Sequence, residues 1–403
     1  MTEASPTRTV YVLDIEVYKN VFLVGLKRLR DGKIRIFEQS ERETIDYDLL
    51  RRILLSGTIV TFNGRTYDMP IVQYAIDGEQ RETEALVEDD AGQGELVTTI
   101  LARRDRTNAE IKAVSDIIIK RNVRWWEIER EIGVEIPRAF DHVDLIEPQP
   151  NPFASLKILN GRMHGRWMQD LPYHFDSVLT FAQIDRLREY LANDLQATEY
   201  LWATLAEPMQ LRIDFGQQVG MDLRSMSDTQ MGLAVIKQRC EKVLKKRIPR
   251  GGAVGFESFK YVPPAYIEFQ TPVLRSMLAQ IREHDFLVLG SGKVDLPEFL
   301  TTPFQIGQAS YAMGIGGLHS TESNRSLRAD QNFALVDADV ASYYPAIILS
   351  LGLYPEAIGP AFLDVYREIR DQRVVAKRKA KEIKAEILAL KSELAKLEVG
   401  DEE

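Results

Sequence analysis

Asp14 and Glu16 stand two apart in the run Leu13-Asp14-Ile15-Glu16-Val17. On a strand, that spacing puts both carboxylates on one face and Leu13 and Ile15 on the other. Neighbouring carboxylates repel unless a cation lies between them. Asp68 closes Asn63-Gly64-Arg65-Thr66-Tyr67-Asp68, at a predicted strand-to-helix corner. Tyr190 and Asp194, four apart, share one face of a predicted helix. Together the four acids could hold two divalent cations roughly 3.5–4 Å apart, the spacing that clamps the attacking and leaving oxygens of a phosphodiester. Each piece also has an ordinary reading: an acidic strand end, a favourable charge near a helix N-terminus, a solvated helix face. The metal reading comes from the combination.

A second set lies in the last quarter of the chain. Asp339-Val340-Ala341-Ser342-Tyr343-Tyr344-Pro345 ends a predicted strand, Phe333 to Ala341, on which Leu335, Asp337 and Asp339 share a face. Upstream, Gly314-Ile315-Gly316-Gly317-Leu318-His319 combines glycines that let backbone approach a phosphate, or forms a hairpin with no ligand. Downstream, ten Lys/Arg stand against five acids between Arg367 and Lys396. Arg373 and Lys377 share a face of that helix, whose plain reading is a solvated charged face with Glu/Lys pairs.

In order, the first set resembles the D-x-E, N-x(2,3)-[FY]-D and Y-x3-D exonuclease motifs of family B DNA polymerases. Ser155-Leu156-Lys157-Ile158-Leu159 and Asp170-Leu171-Pro172-Tyr173 look like the linker of the bacteriophage-encoded members. The resemblance implies that Asp14, Glu16, Asp68 and Asp194 hold two Mg²⁺ (or Mn²⁺) ions. Tyr190 would orient the attacking water, Asn63 would contact a single-stranded 3′ end and Lys157 a phosphate; for Lys157 the plain alternative is a solvated lysine. Val17 stands where some relatives carry a hydroxyl residue that touches DNA. Asp339 to Pro345 resembles the first polymerase motif, D-x2-S-[LY]-Y-P. By that likeness Asp339 binds the catalytic metals, Tyr344 lies under the sugar of an incoming dNTP, Arg373 and Lys377 grip its triphosphate, and Gly316 and Gly317 approach primer-template DNA. Asp337 falls outside the motif and reads as structural.

The K-x3-N-S-x-Y-G and D-T-D segments that would complete nucleotidyl transfer are not found before Glu403. The expectation is therefore the N-terminal portion of a phage-like family B DNA-directed DNA polymerase for DNA replication. Its 3′–5′ exonuclease (proofreading) site would be complete and its nucleotidyltransferase site incomplete, with dNTP used only when a C-terminal polymerase chain complements it. The alternatives are a stand-alone 3′–5′ exonuclease and a non-catalytic DNA-binding subunit.

Composition is compatible with this. The 403 residues are 45% hydrophobic and 28% charged, with a net charge of -9 that leaves room for local basic grooves. One cysteine, Cys240, excludes an intrachain disulfide framework and a cysteine-based zinc cluster. No window reads as a membrane span or signal segment, so the expected location is the cytoplasm, the host's if phage-encoded.

The elements that must position these residues alternate. Val10 to Ile15 and Thr58 to Phe62 read as strands, Ile71 to Ile76 as a helix after Pro70, and Glu82 to Glu95 as an acidic surface loop. Pro148, Pro150 and Pro152 mark an extended connector. Thr180 and Gln183 form a capping box for a helix from Phe181 to about Leu205, with Pro208 beyond its end. A helical pattern runs from Leu211 to Ile248 into the basic cluster Lys242 to Arg250, and short strands follow between Gly251 and Gly317. A long helix begins at Ala361, with Ile383, Ile387, Leu390, Leu394 and Leu397 along one seam. The predicted fold is α/β and α+β multidomain. A ribonuclease H-like exonuclease domain (1–206) is followed by a connecting region and N-terminal palm (207–330), a palm strand (331–360) and a first fingers helix (361–403).

Overall fold

The computed structural model describes residues 8–88, 95–150, 154–249, 258–289, 293–314, 316–340 and 342–400, without the side chains of 80–102 and 394–400. The chain divides into two compact units, Met1–Val235 and Ile236–Glu403.

The first unit is a mixed α/β layer. Its elements are β1 (Thr9–Val17), β2 (Phe22–Arg28), β3 (Ile34–Gln39), α1 (Tyr47–Ser56), β4 (Gly57–Thr61), α2 (Asp68–Asp77), β5 (Glu79–Glu88), β6 (Glu95–Arg104), α3 (Asn108–Lys120), α4 (Ile128–Ile132), β7 (Asp141–Asp144), α5 (Leu156–Arg162), α6 (Phe181–Thr204), α7 (Ala206–Val219) and α8 (Asp228–Leu244), the last crossing into the second unit. Five strands form one sheet in the order β3-β2-β1-β4-β7. β1 pairs antiparallel with β2 and β2 with β3, whereas β1–β4 and β4–β7 are parallel.

The alternation in β1 sorts its two faces. Leu13, Ile15 and Val17 join Leu50, Leu54, Ile71 and Ile111 in a core under α1, α2 and α3. Val12 joins Val60, Val143, Leu159 and Leu195 under α5 and α6 on the other face. Asp14 and Glu16 continue the Val12 face toward the C-terminal end of the strand, so α6 runs over them. Helix α6 begins with both arms of the Thr180/Gln183 capping box and buries Ile184, Leu187, Leu191 and Leu195.

The second unit contains β8 (Ser258–Lys260), α9 (Pro272–Glu283), β9 (Asp285–Leu287), α10 (Glu298–Thr301), β10 (Phe304–Ile306), β11 (Ala309–Gly314), β12 (Gly317–Ser320), α11 (Tyr343–Ser350) and α12 (Ala361–Gly400). Its sheets are small: β8-β9 and β10-β11-β12. Its cores are small too, one around Cys240, Ile248 and Val365, the other around Met277, Phe286 and Leu300.

Two expectations are corrected. Residues 82–95, read as an acidic loop, belong largely to the β5–β6 hairpin, paired from Glu79↔Arg104 to Glu88↔Glu95, while 89–94 lie outside the described residues. Backbone pairing outweighs the low strand preference of glutamate there. Pro208 stands beyond the end of α6 at Thr204, as expected, and in the first turn of α7, where a missing N–H costs nothing. Residues 333–340 form no strand and are exposed throughout; residue 341 is outside the described residues. Alternation makes a strand only where a neighbouring strand takes up its N–H and C=O groups, and among the described residues no strand pairs with this segment.

Candidate metal centre

The acids of the first unit converge from β1, the corner after β4, and α6. Carboxylate oxygens of Asp14, Glu16 and Asp194 all lie within 4.8 Å of one another, an arrangement that can hold a metal ion. Among the described residues this is the one such group of His, Cys, Asp and Glu side chains. Asp68, the first residue of α2, is 3% exposed and hydrogen-bonds Asp14. The fourth acid thus adjoins the other three.

The close approach of α6 depends on a residue that sequence reasoning passed over. Gly25 lies opposite Asp14 in the β1–β2 ladder and therefore on the same face. A Cβ there would stand 2.9 Å from Leu195 Cδ1 and 3.0 Å from Leu191 Cγ. A strand-interior glycine in Phe-Leu-Val-Gly-Leu is the signal that marked this approach.

Asp144 is a second missed residue. It ends β7, is 1% exposed, and clamps the corner that leads to Asp68. Its Oδ1 accepts the N–H of Asn63 at 2.8 Å and of Ile146 at 3.0 Å, and its Oδ2 accepts the N–H of Arg65 at 2.9 Å. The corner is tight: Asn63 has φ 66, and a Cβ on Gly64 would fall 2.2 Å from Thr61 Oγ1. The strand carrying Asp144 is only four residues long, too short for periodicity to show.

Electrostatics follow from the crowding. Burial, then the charges of Asp68, Asp194 and Glu16, hold the Asp14 carboxyl well above its usual range. Glu16 is raised by burial and by Asp194 and Asp68. Burial pushes Asp68 up to about 7, with the Asp144 charge adding to it. Burial also brings Asp194 up to about 6, against hydrogen bonds from Tyr190 and Asn193 that favour its charged form. Such a cluster is costly when ionised and invites a cation. Tyr190 is held far above the ordinary phenol value by burial and by Asp194, so it keeps its proton.

An open cleft of about 410 Å³ borders Tyr190 and is lined also by Gln169, Asp170, Arg186 and Glu189. Asn63 joins the site through its backbone, as the donor to Asp144. Next to it, the Arg65 guanidinium stacks 3.9 Å over the Trp125 ring. Lys157 is on α5, exposed and ion-paired with the exposed Asp170. Val17 is buried in the core.

The second set is arranged differently. Gly316 and Gly317 lie where β11 meets β12, with Gly314 paired to Gly317. The Tyr344 hydroxyl donates to the Gly316 carbonyl at 3.1 Å, and Arg373 Nη1 donates to Ser342 Oγ at 3.2 Å. The structure thus brings Tyr344, Gly316, Ser342 and Arg373 together. Asp339 and Asp337 are exposed on the unpaired segment, and Lys377 is exposed one turn after Arg373 on α12. Ile383, Ile387 and Leu390 are also exposed, and the side chains of Leu394 and Leu397 lie outside the described residues. No helix among the described residues is long and apolar enough to cross a membrane.

No family model, no curated protein and no solved structure matches the chain.

Proposed function

We propose that the first unit is a two-metal 3′–5′ exonuclease acting on single-stranded DNA ends, and that the chain is the N-terminal portion of a family B-like DNA polymerase. One observation carries the reading: Asp14, Glu16 and Asp194 gather their oxygens within 4.8 Å, with Asp68 bonded to Asp14. The sheet is compatible with it, a mixed five-stranded layer in the order β3-β2-β1-β4-β7 with β2 alone reversed. The acids also stand toward the C-terminal ends of parallel strands, where α/β sheets place their ligands.

Asp14, Glu16, Asp68 and Asp194 would hold Mg²⁺ or Mn²⁺, which lowers the pKa of a bound water and offsets charge on the phosphoryl oxygens. The chain's own residues do the rest. Tyr190 remains a phenol, donates to Asp194 and fixes that carboxylate's direction, leaving its oxygen able to accept from a water. Asp144 keeps the 63–68 corner, and with it Asp68, in one conformation.

The full chain should shorten a 5′-labelled single-stranded oligonucleotide from its 3′ end with Mg²⁺ or Mn²⁺. Asp14→Ala should lower the rate by at least about a thousandfold, the scale of losing charge stabilisation in the transition state. A wild-type chain that leaves the oligonucleotide intact, or an equally active Asp14→Ala, refutes the assignment.

A stand-alone exonuclease is the second reading. It is favoured by the exposure of Asp339 on a segment without strand partners. Primer extension restored by a complementing chain with the two absent polymerase motifs decides for the polymerase. Nuclease activity with no extension decides for the stand-alone enzyme.

A further inference from the structure

Helix α6 carries both Tyr190 and Asp194, and its seat on the sheet is what places them. Much of that seat is apolar: Leu23 of β2 packs with Ile184, Leu187 and Leu191 of the helix. Apolar packing is non-directional and does not by itself select one position along the helix axis. Asp194, moreover, stands among the like charges of Asp14 and Glu16, whose repulsion pushes the helix off the sheet while no cation lies between them.

Two charged side chains of the sheet lie on the same face. The ladders put Glu38, Leu23 and Glu16 in one cross-strand row, Gly25 and Asp14 in the next, and Lys27 and Val12 in the one after that. Glu38 is 1% exposed and Lys27 6%. Glu38 Oε2 accepts from Arg188 Nη1 of α6 at 2.7 Å. Arg42 bridges the same carboxylate to the helix, donating to Glu38 Oε1 at 2.8 Å and to Asp185 Oδ1 at 2.7 Å. Lys27 Nζ donates to Gln196 Oε1 and pairs with Glu199 Oε2 at 2.5 Å, and Gln196 Nε2 donates to that same Glu199 oxygen at 2.7 Å. These contacts bracket the site. Asp185 and Arg188 precede Tyr190 on the helix, and Gln196 and Glu199 follow Asp194.

A buried ion pair seldom adds net stability, because desolvating both charges offsets their attraction. An apolar residue of similar size would serve the packing as well. What the pairs add is a single position, since a helix displaced by one turn would leave an unpaired charge in the core. We propose that Glu38 and Lys27 are positioning residues, which fix α6 in the register at which Asp194 meets Asp14 and Glu16. Their bearing on cation binding rests on the metal reading of those acids.

The test is Lys27→Met in the full chain, which keeps the apolar stem and removes the charge. The Glu199 side chain, 26% exposed, is then free to turn to solvent. Replacing a buried pair by an apolar group is close to neutral, so the melting temperature in chelator should stay within about 3 °C of the wild type or rise. Mn²⁺ affinity, read by calorimetry, should nonetheless fall roughly tenfold, the scale of losing a group that orients a metal ligand. In chelator, amide exchange at 190–196 should accelerate, and saturating Mn²⁺ should slow it again. Glu38→Gln, which keeps an acceptor without the charge, should act in the same direction. Wild-type affinity and exchange in both variants overturn the proposal. So does a lower melting temperature with affinity and exchange unchanged, the result of a purely structural pair. If the wild type binds no Mn²⁺, the metal reading falls. Faster exchange at 190–196 in Lys27→Met with melting unchanged then still upholds the fixed register, and unchanged exchange overturns it.

Discussion

The carboxylates of the first unit and Asp339 of the second share a residue type and differ in almost everything that makes a carboxylate useful. Asp14, Glu16, Asp68 and Asp194 are fixed by a ladder, a helix and a clamped corner, and each is surrounded by others like it. Asp339 stands on an exposed segment without a ladder, and no group of His, Cys, Asp and Glu that could hold a metal includes it among the described residues. A site needs its charges to be pre-paid by the fold, because organised charge loses no energy to reorganisation when substrate or cation arrives. Four acids that repel one another in a half-buried pocket are therefore more informative than a single acid in solvent.

The largest expected effect is the response to a divalent cation. At a hundred times its dissociation constant, a cation that binds only the folded state stabilises it by about 2.7 kcal/mol. For a domain of this size that raises the melting temperature by roughly 5–10 °C. Calorimetry with Mn²⁺ should show this shift in the wild type and lose it in Asp14→Ala and Asp194→Ala. Asp339→Ala should keep the shift in full. A shift that depends on Asp339 instead would reverse the comparison between the two regions.

Next comes the pH dependence without metal. Asp68 is brought up to about 7 and Asp194 to about 6, against ordinary values near 3.8. The folded state therefore holds more protons than the unfolded state between those limits, and stability falls as pH rises. In chelator the contribution is fully present below about pH 4 and is lost by about pH 7. One pKa unit corresponds to about 1.4 kcal/mol, and coupling makes the separate shifts non-additive. The loss should be on the order of 4 kcal/mol, the scale of the Asp68 shift alone. Asp68→Asn should flatten the profile, and Mn²⁺ should invert it, since the cation displaces the same protons. A profile unchanged by Asp68→Asn would mean that the cluster is not strained.

Asp144→Asn tests whether the first site is held as tightly as its geometry indicates. The amide keeps one acceptor and turns a donor toward backbone N–H groups of the corner. The cost of a mispaired buried group is about 1–3 kcal/mol. Stability should fall by that amount, and cleavage should slow more than DNA binding weakens, because Asp68 moves while the α6 side stays in place. Hydrogen exchange at Asn63 and Arg65 should accelerate. Unchanged exchange there would show that the corner holds itself.

Much of the first region was legible because its signals are local. Two-residue spacing placed Asp14 and Glu16 on one face, and the Thr180/Gln183 box set the start of α6 to the residue. What escaped were relations across the chain. Asp144 matters through its contacts with residues about eighty positions earlier, and Gly25 matters through leucines on α6. Neither distance leaves a period to read. The opposite failure occurred at 333–340, where alternation suggested a strand. Periodicity describes which side of a strand would be buried, and cannot supply the partner that makes it a strand.

The smallest effect belongs to the second region. The Tyr344 hydroxyl reaches the Gly316 carbonyl at 3.1 Å across an exposed surface. A solvent-accessible hydrogen bond of this kind contributes about 1 kcal/mol at most, since water replaces it when it is lost. Tyr344→Phe should therefore move the melting of the second unit by only a few degrees and leave exchange across 333–340 fast. A complementing chain should change that result. If strands from a partner pair with 333–340, amide exchange there slows sharply and Asp339 gains the rigidity that the first site already has. Slow exchange at 333–340 in the isolated chain would mean that the two regions differ less than their exposures indicate.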